Sequence, residues 1–187
     1  VIAGTGSNCT REAVEAAKRA QDCGADAMLC VTPYYNKTTQ AGLIAHYAAL
    51  ADSDTLPIIV YNVPSRTGLN ILPETLREIC RHEKIIGVKE ANSDVAQAIE
   101  KLRLCGDSAA FYSGNDDLTL PLIACGFEGV ISVASNPMPK KMSRLADLAL
   151  AGNNAEAAAL QKKLLPFMNA LFSEVNPIPV KAAMAAM

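Results

Sequence analysis

The sequence has almost no excess of charge. Its 17 lysines and arginines stand against 19 aspartates and glutamates, a net of −2. It also lacks any basic stripe interleaved with aromatics, so it offers no electrostatic footprint for nucleic acid or for an anionic membrane. No apolar run approaches the roughly 20 residues of a membrane-spanning helix, and no secretory signal pattern is visible at the start. The six cysteines form no C-x-x-C pair. Neither His46 nor His82 has Cys, Asp or Glu at ligand spacing, so neither metal binding nor a disulfide framework is expected. Cysteines inside apolar segments read instead as buried reduced thiols of a cytoplasmic protein. No low-complexity linker divides the chain, so residues 1–187 read as one domain.

What is present is a regular alternation. Short apolar, β-branched runs occupy Val1–Gly4, Ala27–Val31, Ile58–Tyr61, Ile85–Ala91, Ala109–Tyr112 and Gly129–Val133. Between and after them lie helical patterns: from a Thr10 cap to about Cys23, Ala41–Ala51, Pro73 to about Arg81, Asp94–Leu104, the stretch ending at Cys125, and Lys140–Ala151. A further helix covers Asn154–Phe172 and another starts after Pro179, which places the start of a C-terminal helical region at about 154. Strands alternating with helices imply parallel pairing through helical crossovers, with both sheet faces covered.

The polar residues gather just after the strands: Thr5 and Asn8; Thr32, Tyr34 and Tyr35; Tyr61 and Arg66; Lys89 and Glu90; Ser113 and Asn115; Ser132. In a parallel β/α array those ends share a rim where ligands bind. Two architectures accommodate this. A doubly wound sheet would use Gly4-Thr5-Gly6 as a nucleotide loop, but Cys9 stands where the third glycine of G-x-G-x-x-G belongs, and no G-x-x-x-x-G-K-[ST] occurs. A barrel better explains polar groups after every strand. A full barrel has eight units in about 250 residues, so six strands read as a partial TIM (β/α)8 barrel. The first run also begins inside an apolar strand, which suggests chain upstream.

Within that rim the stretch Ile85-Ile86-Gly87-Val88-Lys89-Glu90-Ala91 ends a buried strand on a lysine. Burying an ammonium is costly, but desolvation favours the neutral amine, which can attack a carbonyl. Tyr61 ends the preceding strand, and neighbouring strands lie about 4.8 Å apart. Its hydroxyl can shuttle protons during imine formation. Arg66 follows in the same loop with a guanidinium suited to a carboxylate. Singly, each has a plain structural role open to it: a snorkelling strand-end lysine, an aromatic packing cap, a solvated loop arginine. Together at one rim they favour an active site.

The chain resembles the dihydrodipicolinate synthase family of pyruvate-dependent class I lyases and aldolases, in the N-acetylneuraminate lyase superfamily. The resemblance rests on Val1-Ile-Ala-Gly-Thr-Gly6 with Asn8, Thr32-Pro-Tyr-Tyr-Asn36, Tyr61-Asn-Val-Pro-Ser-Arg-Thr-Gly68, Gly87-Val-Lys-Glu90, Ser113-Gly114, Gly129-Val-Ile-Ser132 and Asn176-Pro-Ile-Pro-Val-Lys181. It implies strands 3–8 of an eightfold barrel followed by C-terminal helices. The Gly-Thr-Thr stretch that holds the pyruvate carboxylate in the family is not in this sequence.

The implied chemistry is condensation of pyruvate with L-aspartate 4-semialdehyde to 4-hydroxy-tetrahydrodipicolinate on the diaminopimelate route to lysine. It uses a covalent imine on Lys89 and no other cofactor. The resemblance makes Tyr61 the central tyrosine of the proton relay and Tyr35 the tyrosine that completes it in a neighbouring subunit. Arg66 binds the semialdehyde carboxylate, while Gly114 and the main chain at Ile131 are substrate-binding positions. Asn8, Glu12 and Tyr34 match positions that bind L-lysine as a feedback inhibitor, and the implied assembly is a homotetramer of tight dimers. Alternatives are a sister aldolase of a sugar-derived keto acid, a non-catalytic fragment, and a nucleotide-binding domain.

Overall fold

The computed structural model describes residues 1–53 and 56–187. They fall into two compact units, Val1–Phe111 and Tyr112–Met187, where the sequence shows no linker.

In the first unit the strands β1 (Ile2–Gly4), β2 (Ala27–Val31), β3 (Ile58–Asn62) and β4 (Ile85–Glu90) pair in parallel in chain order. The helices α1 (Thr10–Asp22), α2 (Gln40–Ala51), α3 (Pro64–Thr67) and α4 (Pro73–Ile79) connect them, and α5 (Val95–Cys105) follows β4. Ile58, Ile59 and Val60 are buried in succession, as expected of a parallel strand covered on both faces. Tyr47 of α2 is buried and donates its hydroxyl to the Cys30 carbonyl (2.9 Å), which fixes that helix on β2.

Local chemistry sets the helix ends. Thr39 accepts from the Gly42 amide and starts α2, and Asp94 accepts from the Gln97 amide and starts α5. Thr10 was expected to cap α1 but does not. Cys9 occupies the cap position with no side-chain bond, and the Thr10 hydroxyl is 2.9 Å from His46 Nδ1 of α2. The hydroxyl thus joins two helices instead of capping one.

In the second unit β5 (Ala110–Ser113), which straddles the division, pairs in parallel with β6 (Gly129–Val130). The 3-10 turn Asp116–Leu118 and α6 (Thr119–Ala124) join them, and α7 (Pro139–Leu150), α8 (Asn154–Ala170) and α9 (Ile178–Ala185) follow. The sixth strand was expected to reach Val133 but ends at Val130. Buried Asp116 Oδ2 accepts from the Val133 and Ala134 amides (3.1 and 2.8 Å), so those donors leave the ladder for a carboxylate.

Among the described residues no helix is long and apolar enough to cross a membrane. All six thiols are free: Cys30, Cys80 and Cys105 are buried, Cys9 is half-buried, and Cys23 and Cys125 are exposed, so burial holds for three of the six.

Candidate active site

The parallel register places Tyr61 opposite Lys89 and Asn62 opposite Glu90 at the C-terminal ends of β3 and β4. Side chains alternate across a sheet, so Tyr61 and Lys89 share one face while Asn62 and Glu90 share the other. Lys89 is 9% exposed, and its Nζ stands 4.3 Å from the centroid of the Tyr61 ring. Burial pushes the Tyr61 phenol above its ordinary pKa, and the charge of Arg66 opposes that rise. The phenol therefore keeps its proton at neutral pH and can donate and accept a hydrogen bond.

Arg66 sits on a turn absent from the sequence-based expectation, the helix α3. Its signals were present, with Pro64 at the first helical position and Gly68 just past the end at φ +71°. Thr67 closes the turn by donating to the Val63 carbonyl (3.1 Å). An open cavity of about 470 Å³ in this unit is lined by Gly6, Leu29, Val31, Tyr34, Tyr61 and Arg66, among others. Gly6 is obligatory there, because a Cβ would stand 2.5 Å from the Val31 backbone nitrogen. Close approach of the segment after β1 to Val31 at the end of β2, rather than a phosphate loop, accounts for this glycine.

The other expected residues lie further out. Tyr35 is 89% exposed with φ +71°, a conformation that costs a bulky residue about 1–3 kcal/mol. Tyr34 is 41% exposed and lines the cavity. Asn8 accepts at its carbonyl from Asn36 Nδ2 (3.0 Å), and Glu12 accepts from the Ser7 hydroxyl (3.0 Å). Gly114 and Ile131 belong to the second unit, where the Ile131 amide donates to the Ser113 carbonyl (2.9 Å).

Sequence reasoning missed what stands behind Lys89. Glu90 and Lys101 of α5 are both fully buried and form an ion pair at 2.8 Å. Glu90 Oε1 also accepts from Asn62 Nδ2 and from the Asn92 amide, each at 2.8 Å. Asn70 Oδ1 accepts from Asn62 Nδ2 (2.9 Å) and Lys101 Nζ (3.3 Å), and Asn70 donates to Gln97 (2.7 Å). The available signal was a lysine at the eleventh residue after Glu90, inside a helix whose other buried residues are Ala98 and Cys105. Among the described residues no cluster of three or more His, Cys, Asp or Glu is arranged to hold a metal ion.

These features define an α/β protein whose candidate site centres on a buried strand-end lysine. Residues 1–187 match the dihydrodipicolinate synthetase family, and the chain belongs to that family. It is 54% identical to the 4-hydroxy-tetrahydrodipicolinate synthase of Citrifermentans bemidjiense over 187 residues, which are 100% of this chain and 64% of that protein. Its structure is similar to that of dihydrodipicolinate synthase from Thermotoga maritima, with a TM-score of 0.97 and 45% identity over 100% of this chain and 64% of that one. It is also similar to the chloride-inhibited dihydrodipicolinate synthase of Acinetobacter baumannii complexed with pyruvate, with a TM-score of 0.96 and 45% identity over 99% and 64% of the two chains. The chain thus spans 64% of the length of these curated relatives. The fold class is α/β, a partial TIM (β/α)8 barrel with six parallel strands and further helices at its C-terminal end.

Proposed function

We propose that this chain carries the imine-forming site of a 4-hydroxy-tetrahydrodipicolinate synthase, a lyase condensing pyruvate with L-aspartate 4-semialdehyde. The observation that carries the reading is the Tyr61–Lys89 pair: a buried amine 4.3 Å from the ring of a tyrosine whose phenol burial keeps protonated. Family membership supports the choice of substrates.

In this mechanism the neutral Lys89 amine adds to the pyruvate ketone, and the amine proton passes to the new alkoxide. Tyr61 relays a proton to the departing hydroxyl, which leaves as water and gives the imine. The imine withdraws electrons, so the methyl group loses a proton and becomes an enamine. The enamine carbon attacks the semialdehyde carbonyl while Arg66 holds the carboxylate of that substrate. The substrate amine then displaces Lys89 and closes the ring. The electron sink is the lysine imine itself, so no other cofactor is invoked.

Three further assignments belong to the same reading. The exposed, strained Tyr35 completes the relay of a neighbouring copy, within a homotetramer of tight dimers. Gly114 and the main chain at Ile131 are substrate-binding positions. Asn8, Glu12 and Tyr34 form part of an L-lysine feedback site. The free thiols suit a cytoplasmic location.

The test is to treat the protein with pyruvate and borohydride and locate the reduced adduct by peptide mass. The adduct is expected on Lys89 and is expected to vanish in Lys89→Ala. An adduct elsewhere, or none, overturns the mechanism.

A further inference from the structure

Glu90 and Lys101 have no part in the chemistry above, yet both are fully buried, and Glu90 is the residue next to its nucleophile. A buried ion pair is a poor device for stability alone, because desolvating two charges offsets most of their attraction. Its placement is therefore informative. Glu90 follows Lys89 directly and points to the opposite face of β4. Through Asn62 Nδ2 its carboxylate also grips the residue that follows Tyr61 on β3. The same asparagine accepts the Ile71 amide at Oδ1 (3.0 Å), so the strand end is held from two directions. Asn62 thus joins the ends of β3 and β4, and Lys101 ties that junction to α5 on the face opposite the Tyr61–Lys89 pair.

We propose that Lys101 is a positioning residue for Lys89: paired to Glu90, it locks the ends of β3 and β4 in register and cancels a carboxylate charge behind the reactive amine. This rests on Lys89 being the imine-forming lysine. With Lys101 removed, the Glu90 carboxylate is unbalanced beside Lys89 and favours the ammonium, which cannot attack a ketone. With Glu90 neutralised, the Lys101 ammonium is unbalanced and favours the free amine. Other charged or titratable groups surround the pair. Cys105 of α5 lies in the field of Lys101 and Arg77, and it is hydrogen-bonded to Cys80 at the end of α4. On the Lys89 face they are Tyr61 and Arg66. Glu90→Gln leaves these groups in place, whereas Lys101→Met also withdraws its field from Cys105, so the Glu90→Gln shift is the cleaner reading of the sign.

The experiment follows the Lys89 amine itself, by NMR of the protein with isotope-labelled lysine, the Lys89 signal being assigned with Lys89→Arg. The Lys89 titration is expected to move up by about one pH unit in Lys101→Met and down by a similar amount in Glu90→Gln. In Lys101→Arg and in the double variant Glu90→Gln/Lys101→Met it should return close to its starting value. Borohydride trapping of pyruvate should follow the same pH displacement. Loss of packing alone would move both single variants the same way or leave the titration in place, and either result overturns the proposal. If one single variant does not fold, the other still decides through the sign of its shift. The titration needs no substrate, so failure of wild-type trapping would refute the proposed function separately from this inference.

Discussion

Tyr61 and Lys89 are register partners across β3 and β4, and the Lys89 Nζ lies 4.3 Å from the centroid of the Tyr61 ring. That distance makes the ring a wall of the amine's pocket as well as the carrier of a hydroxyl, so the two roles can be separated. Tyr61→Phe keeps the wall and removes the proton carrier. Imine formation, followed by borohydride trapping, should slow by about 100-fold or more while the fold is unchanged. Trapping at the wild-type rate would remove Tyr61 from the relay.

Arg66 is exposed on α3, and its charge acts on Tyr61 from beside the 470 Å³ cavity. Arg66→Ala should spare imine formation with pyruvate and impair use of the aldehyde. A lost charge-assisted contact of about 1.5–3 kcal/mol corresponds to roughly ten- to hundredfold in the aldehyde's KM. Steady-state kinetics with each substrate varied separately provide the check, and equal damage to both steps would contradict the assignment.

His46 is 4% exposed, and burial holds its imidazole below the ordinary pKa; Nε2 has no hydrogen-bond partner among the described residues. The unfolded chain therefore binds a proton that the native state resists. Stability from this group is complete above the unfolded value of about 6.5 and is lost as pH falls through that value toward the depressed native one, at no more than about 1.4 kcal/mol per pH unit. Urea midpoints at pH 7 and pH 5 should differ less in His46→Gln than in the parent chain.

The thiols should separate by reactivity. Burial raises the Cys30 pKa, partly offset by the Thr5 hydroxyl 3.3 Å away. Cys80 is pushed far up, first by its hydrogen bond with Cys105 and then by burial. The thiolate is the reactive form and must also be reached, so a brief iodoacetamide pulse on the native protein should label Cys23 and Cys125 first and leave Cys30 and Cys80 unmodified, and Cys105 too, which burial shields although Cys80 lowers its pKa. Peptide mapping reads the order directly, and early labelling of Cys80 would contradict its burial.

Much of the architecture was legible in the chain itself. A run such as Ile58-Ile59-Val60 is apolar without alternation, which suits a strand covered on both faces, and Pro73 and Asp94 announce helix starts. The strand-end location of Tyr61, Arg66 and Lys89 followed from counting forward along each run. Less legible was anything decided by a partner distant in sequence. The sixth apolar run looks like a strand to Val133, yet Asp116 takes the amides of Val133 and Ala134. Thr10 has the chemistry of a cap, yet His46, 36 residues away, takes its hydroxyl.

The sequence by itself determined the α/β alternation, the parallel strands and the residue types at their ends, because these depend on local periodicity and on which side chains tolerate burial. Only the tertiary structure decided that Tyr61 faces Lys89, since register between β3 and β4 depends on how 27 intervening residues pack. It alone placed Lys101 against Glu90 behind that pair. An ion pair in a dry interior is set by the geometry of two elements meeting, and no periodicity of either element encodes it.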